Sequence, residues 1–88
     1  MPEVFTANAL RTGTVVYLDA NGRWSEALDQ AAVAETPALR QHLEKIATAA
    51  VERNEVTAVY AFAVNLVGGR AEPRSVREKI RAAHAPTV

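Results

Sequence analysis

The sequence predicts an α+β domain: a small antiparallel sheet, made of a hairpin and a long later strand, with one long amphipathic helix and a short C-terminal helix. Three observations predict this class. Two short strand-like runs flank a glycine-containing turn near the start, an apolar pattern of helical spacing follows a Thr-Pro pair, and a long β-branched and aromatic run comes after it. With 88 residues, the chain is expected to form a single domain over residues 1–88.

The sheet is predicted to begin with a hairpin. Its strands are the runs Val4–Leu10 and Thr14–Asp19, which are joined by residues 11–13, Arg-Thr-Gly. A short loop that ends in glycine suits a hairpin turn needing one positive φ angle.

A second turn is predicted at residues 19–22, Asp-Ala-Asn-Gly, because Asn-Gly favours left-handed backbone. Trp24 follows two residues later and should fold back beside the second strand. Ser25 is then expected to cap a short helical turn over residues 26–30. For Ala31–Ala34 the pattern leaves two alternatives open, a brief strand or an extension of that turn.

The long helix begins at the clearest boundary in the sequence. Thr36 is a good N-cap residue, and Pro37 is favoured at the first helical position. Apolar residues then recur at helical spacing, at Leu39, Leu43, Ile46, Ala47, Ala50 and Val51. Asn54 is predicted to stop the helix.

Residues 56–67 (VTAVYAFAVNLV) predict one long strand. Strict alternation puts Val56 on the same face as Tyr60 and Phe62, and both faces are mostly apolar. Such a strand is either central and covered on both faces, or part of a contact between two copies of the chain. Residues 68–69 (Gly-Gly) end it, and residues 70–74 are predicted as a loop.

The C-terminal helix is predicted from residues 75–78, Ser-Val-Arg-Glu, which form a capping box. It should run to about Ala83. Five basic and two acidic residues fall within residues 70–88, in a chain that has ten of each. This local excess is the first indication of a polar working surface.

Composition limits the classes of function. A net charge of zero argues against a nucleic-acid partner. Without cysteine or a close histidine pair, no disulfide, metal site or cofactor is expected. The longest apolar run, Ala58–Val64, is too short to span a bilayer, and residues 1–14 do not resemble a signal peptide, so we expect a cytoplasmic protein and no membrane contact.

Catalytic residues are not apparent. The two histidines, His42 and His84, have no carboxylate in a known catalytic spacing, and Ser25 and Ser75 are better explained as helix caps than as nucleophiles. No set of residues supplies both a reactive group and its activator, which disfavours an enzyme.

Two candidate binding features remain, and each has a structural explanation that we favour. Trp24 is expected to cover one end of the sheet as core, although tryptophan is also a frequent interface hot spot. Arg77, Arg81 and His84 share one face of the last helix, with Arg74 just before it. That face is expected to be solvated, and the alternative is a site for an anion or an acidic partner.

The sequence also resembles a known family over nearly its whole length. The segments that carry the resemblance are Val4–Asn8, the Val16-Tyr17-Leu18 run with Gly22 and Trp24, and residues 77–88 with their Arg-Glu and Ile-Arg pairs and their Pro-Thr-Val end. They resemble small alphaproteobacterial proteins of unknown function that are typically encoded next to assimilatory sulfite reductase. The resemblance implies a pathway and carries over no catalytic residue.

The leading hypothesis is therefore a non-catalytic accessory or regulatory protein of assimilatory sulfite reduction. It would act by contact with sulfite reductase or its electron-donor subunit. A small sensor or carrier that holds an oxyanion against Arg74, Arg77 and Arg81 is the alternative from another class. An enzyme with an unrecognised site is the third and least favoured hypothesis.

Overall fold

The computed structural model describes residues 2–68, 70–74 and 78. Its backbone forms a five-stranded antiparallel sheet with one long helix, which confirms the predicted α+β class. The strands are β1 (Glu3–Ala9), β2 (Val15–Leu18), β3 (Trp24–Ser25), β4 (Val56–Val67) and β5 (Arg70–Pro73), and the helix is α1 (Pro37–Glu52). The predicted C-terminal helix lies outside the described residues except for Glu78.

The strand order is β3-β2-β1-β4-β5. The predicted hairpin is β1 with β2, and its turn contains Gly13 at a φ of 72°. β4 is an interior strand between β1 and β5, although β1 occupies the middle of the order. Because β5 pairs with the end of β4, the prediction of a loop at residues 70–74 is wrong for residues 70–73.

Helix α1 starts and stops where the sequence predicts. The Thr36 hydroxyl accepts a hydrogen bond from the Leu39 N–H at 3.2 Å, and Pro37 is the first helical residue. At the other end Asn54 has a φ of 60°, and the N–H groups of Asn54 and Glu55 donate to the carbonyls of Val51 and Ala50. This pattern is a Schellman motif, which satisfies carbonyls that the helix end would otherwise leave open.

The apolar stripe of α1 is narrower than predicted. Leu43, Ala47 and Ala50 are buried against the sheet, whereas Leu39 and Val51 are 38% and 41% exposed. On this α1 face of the sheet, the helix packs against Phe5, Ala7, Val16, Leu18 and Val56.

The opposite face of the sheet has a core of its own, over which the described part of the chain places no long helix. Its core is Val4, Val15, Tyr17, Phe62 and Val64, packed by Leu28, Ala31, Val33 and Ala71. Leu28–Gln30 is a 3₁₀ turn. Ala31 and Ala34 each form one isolated bridge, to Asp19 and Glu3, so residues 31–34 are neither a continuous strand nor an extension of the turn. Ser25 does not cap this turn; its hydroxyl accepts from the Ala27 N–H at 3.1 Å.

Strand β4 changes face at a bulge. Its pairing with β1 shifts by one residue between Thr6 and Asn8, and Ala58 there has a φ of 57°. One extra residue reverses the alternation of side chains. Val56 therefore packs with Val59 on the α1 face, and the prediction that Val56 shares a face with Tyr60 and Phe62 is wrong.

Candidate functional site

Trp24 lies at the start of β3, where a tight turn returns the chain beside β2. The Asp19 carboxylate accepts from the N–H groups of Asn21 and Arg23 at 2.9 and 2.8 Å. Gly22 has a φ of 79°, a conformation that L side chains rarely adopt, and the turn lies against Ile46 of α1. Trp24 is consequently paired with Leu18, as predicted.

The Trp24 ring is partly buried and packs against the core on the α1 face. Its Nε1–H is enclosed and has no hydrogen-bond acceptor among the described residues. The ring therefore contributes apolar packing, as the favoured interpretation has it. The same residue also borders a cleft, so core packing does not account for the whole of its surroundings.

The Trp24 cleft has a volume of about 530 Å³. Three connecting segments border it: the β1–β2 turn, the β2–β3 turn and the α1–β4 turn. Its lining residues are Ala9, Thr12, Thr14, Val16, Gly22, Arg23, Trp24, Glu26, Arg53, Glu55 and Val56. Ala9, Val16 and Val56 give it an apolar floor, and the charged residues stand around the rim.

The rim combines fixed and free polar groups. Arg53 Nε donates to Glu55 Oε2 at 2.9 Å, and this hydrogen bond, followed by the charge of Glu55, raises the pKa of Arg53 above its ordinary value. The hydroxyls of Thr12 and Thr14 are 2.7 Å apart. Arg23 is exposed and forms no ion pair within the described part of the chain, so its guanidinium is available to a partner.

A second groove, of about 460 Å³, lies between α1 and β4. Phe5, Ala47, Val59 and Ala61 form its apolar floor. At its rim Arg40 is already engaged, because Nε donates to Glu3 at 2.7 Å and the guanidinium lies 5.9 Å above the Phe5 ring. This groove therefore has fewer uncommitted cations than the Trp24 cleft.

The basic candidates are only partly within the described residues. Arg74 is exposed, and its backbone N–H donates to the Ala63 carbonyl at 3.3 Å. Arg77, Arg81 and His84 lie outside the described residues, so their predicted common face stays a prediction. Trp24 and Arg74 belong to different parts of the sheet, on β3 and just after β5 at its two edges.

Sequence reasoning missed Arg23, Arg53 and the two threonines of the cleft. Each stands next to a turn residue with positive φ, Gly13, Gly22 or Asn54, which is the signal that could have found them. The sequence does not indicate that the three connections meet, because that depends on strand order. No group of three or more metal-ligating side chains occurs within residues 2–68, 70–74 and 78.

The fold and cleft define a small α+β protein with a polar-rimmed concave surface. The chain belongs to a family of proteins of unknown function, DUF2849, whose model matches residues 3–88. No curated protein and no solved structure matches the sequence. The described part of the chain contains no helix with the length and apolar character that crossing a membrane requires.

Proposed function

We propose that this protein is a non-catalytic accessory factor of assimilatory sulfite reduction in the cytoplasm and that it acts by binding another protein. The resemblance to proteins encoded beside sulfite reductase supports the pathway. The observation that carries the contact hypothesis is the Trp24 cleft, a concave surface with a tryptophan wall, an apolar floor and a free arginine at its rim. Tryptophan and arginine are the residue types that most often dominate binding energy at interfaces.

The partner is proposed to be sulfite reductase or its electron-donor subunit. An apolar side chain of the partner would enter the cleft above Val16 and Val56, and a neighbouring acidic group would meet Arg23. Glu55 restrains Arg53, so Arg23 is the lining cation with the most freedom to pair across the interface. Enclosure within the cleft would strengthen such a pair relative to one in open water.

The test compares two charge reversals that differ only in position. Arg23→Glu reverses a charge inside the cleft, and Arg11→Glu reverses one in the β1–β2 turn, at an exposed residue that does not line the cleft. We expect Arg23→Glu to weaken association with sulfite reductase at least tenfold, about 1.4 kcal/mol, and Arg11→Glu to leave it unchanged. Both variants should melt at the wild-type temperature, since exposed charges contribute only about 0–1 kcal/mol to stability.

Association is measured by isothermal titration at low and high salt. The effect of Arg23→Glu should shrink at high salt, because screening weakens attraction and repulsion alike. If both variants weaken binding equally, the effect is one of net charge and the cleft is not the contact. If neither changes it, the proposed contact is wrong.

The basic C-terminal segment is the second element of the proposed contact. The double variant Arg77→Glu/Arg81→Glu should stay folded and lose at least tenfold in affinity for the same partner, with a smaller loss at high salt. Unchanged affinity in the folded variant would leave those arginines as a solvated face.

A small-anion sensor is the second candidate, and the size of the Trp24 cleft favours it. A volume of about 530 Å³ is within the usual range of small-molecule sites, and two arginines line it. A thermal-shift series with sulfite, sulfate and phosphate distinguishes the candidates. A rise in melting temperature that Arg23→Glu abolishes would support the sensor, and no rise with any anion would remove it.

A further inference from the structure

The charged residues that line the Trp24 cleft are balanced in sign. They are Arg23, Arg53, Glu26 and Glu55. Arg53 and Glu55 satisfy each other, because Arg53 Nε donates to Glu55 Oε2 at 2.9 Å. Glu26 is exposed and, like Arg23, forms no ion pair among the described residues. One guanidinium and one carboxylate of the lining are therefore left for a ligand.

The backbone that carries Arg23 and Glu26 is fixed by local hydrogen bonds. Asp19 holds Arg23 twice, since its Oδ1 accepts from the Arg23 N–H and its own N–H donates to the Arg23 carbonyl, both at 2.8 Å. The Ser25 hydroxyl accepts from the Ala27 N–H at 3.1 Å, which closes a turn around Glu26. Because both positions are ordered before a ligand arrives, binding there costs less conformational entropy.

The remainder of the cleft favours an organic ligand over an inorganic ion. Ala9, Val16 and Val56 form an apolar floor beside the indole of Trp24, and the volume of about 530 Å³ is within the usual range of small-molecule sites. An inorganic anion would use the free guanidinium but leave the apolar floor uncovered. It would also bring a negative charge into the same cavity as the free carboxylate, which is unfavourable.

We infer that the Trp24 cleft is a binding site for a free α-amino acid with an apolar side chain. The carboxylate of the ligand pairs with Arg23, whose planar guanidinium can donate two parallel hydrogen bonds to it. The ammonium group of the ligand pairs with Glu26, and its side chain covers Val16 and Val56. The site is a property of the isolated chain, whereas its effect on a partner rests on the proposed function.

Trp24 provides a direct measurement, because it is the only tryptophan of the chain and lines the cleft. The probe is L-leucine, and three analogues each lack one part of it. Isocaproate lacks the ammonium group, isoamylamine lacks the carboxylate, and glycine lacks the apolar side chain. We expect L-leucine to change the tryptophan fluorescence saturably. Each analogue should bind at least tenfold more weakly, since it loses a charge-assisted hydrogen bond or the burial of apolar surface.

Two neutral variants test the assigned charges. Arg23→Gln and Glu26→Gln should each weaken L-leucine binding at least tenfold. Arg23→Gln should leave the affinity for isoamylamine unchanged, and Glu26→Gln that for isocaproate, because the analogue has no group for the altered side chain. The matched controls are Arg11→Gln and Glu72→Gln, at exposed residues that do not line the cleft, and they should bind L-leucine as the wild type does. All four variants should melt at the wild-type temperature.

Three results would overturn the amino-acid site. The first is a fluorescence that does not change saturably up to about 10 mM L-leucine. The second is isocaproate binding as tightly as L-leucine, which would make the cleft an anion site. The third is an equal loss of affinity in the cleft variants and the control variants, which would attribute binding to net charge.

An occupied cleft would exclude the partner side chain that the proposed function places there. Saturating L-leucine should therefore weaken association with sulfite reductase at least threefold in isothermal titration, and unchanged association would count against the cleft as the partner contact. A protein that binds L-leucine but not sulfite reductase would contradict the proposed function alone. A protein that binds sulfite reductase but not L-leucine would contradict the amino-acid site alone.

Discussion

Within the described residues, the two faces of the sheet are covered in different ways. On the α1 face, one regular helix with its ends capped internally covers Phe5, Leu18 and their neighbours, and small residues such as Ala47 and Ala50 bring it close. On the opposite face, the described residues that pack over the aromatic row of Tyr17, Phe62 and Tyr60 are Leu28 of the 3₁₀ turn, Ala31, Val33 and Ala71, and the Tyr60 hydroxyl donates to the buried Glu78. A helix satisfies its own backbone groups, whereas an irregular segment such as residues 31–34 is attached by hydrogen bonds to the sheet, here from the N–H groups of Ala32 and Ala34 to the carbonyls of Leu18 and Glu3.

The difference between the two faces also indicates where specific polar contacts are expected. The contacts between α1 and the sheet are largely apolar and non-directional, and they tolerate variation in neighbouring side chains. The contacts of the opposite face include the hydrogen bond of Tyr60 with Glu78 and the packing of Ala31, whose backbone forms a bridge to Asp19. Substitutions should therefore act locally on the opposite face where they remove an attachment, and globally where they remove core volume.

The largest expected effect is on the aromatic row. Phe62 is 8% exposed and packs between Tyr17 and Tyr60. We expect Phe62→Ala to lower the free energy of unfolding by about 3–5 kcal/mol, because it removes a buried ring and leaves a cavity in the core. Urea denaturation measures the loss.

The control for Phe62→Ala is Val67→Ala on the same strand. Val67 is 52% exposed, so its truncation should change stability by no more than about 0.5 kcal/mol. Similar losses in both variants would show that the opposite face is not a packed core, and the comparison between the faces would fail.

A smaller loss is expected on the α1 face at Trp24. The ring is only partly buried, so Trp24→Ala should cost about 2–3 kcal/mol, below the range for a fully buried aromatic. Trp24→Phe should recover most of this loss, because the enclosed N–H has no acceptor among the described residues and its removal sacrifices no hydrogen bond. Thermal and urea unfolding measure the stability of both variants. A Trp24→Ala protein as stable as wild type would reduce the ring to a surface residue.

Much of this fold is predictable from the sequence because local signals determine it. Thr36, Pro37 and Asn54 mark α1 by capping chemistry, and residues 56–67 mark β4 by their β-branched and aromatic content. The predicted loop at residues 70–74 was wrong over residues 70–73, because pairing with β4, a tertiary interaction, overrides the low strand propensity of Arg-Ala-Glu-Pro. Leu39 and Val51 belong to the apolar stripe of the helix by their spacing, but both side chains are exposed. Periodicity does not reveal how much of the stripe the sheet covers.

The candidate site was less predictable than the fold. Trp24 was identified beside its strand partner, but the cleft around it depends on three turns that are distant in sequence. The bulge in β4 likewise made the two faces of this strand unpredictable from the sequence. Strict alternation assumes an uninterrupted ladder, and one extra residue at Ala58 moves Val56 to the α1 face. Nothing in the composition of Val-Thr-Ala-Val distinguishes a bulged strand from a regular one.

The smallest predicted effect tests the bulge that divides β4 between the two faces. Ala58 is exposed and has a φ of 57°, which is in the left-handed region. This conformation costs an L-residue roughly 1–2 kcal/mol, whereas glycine adopts it freely. Glycine also loses more backbone entropy on folding, about 0.5–1 kcal/mol relative to alanine. The relief of strain exceeds that loss, so Ala58→Gly should raise the free energy of unfolding by about 0.5–1 kcal/mol.

The matched control is Ala63→Gly, on the same strand beyond the bulge. Ala63 pairs with Glu3, and no positive φ occurs at this residue. There the substitution brings no relief and should destabilise the protein by about 0.5–1 kcal/mol. If urea unfolding shows changes of opposite sign in the free energy of unfolding at the two positions, the strain lies at the bulge. If Ala58→Gly destabilises as Ala63→Gly does, β4 has a regular alternation, and Val56 would belong to the face that carries Phe62.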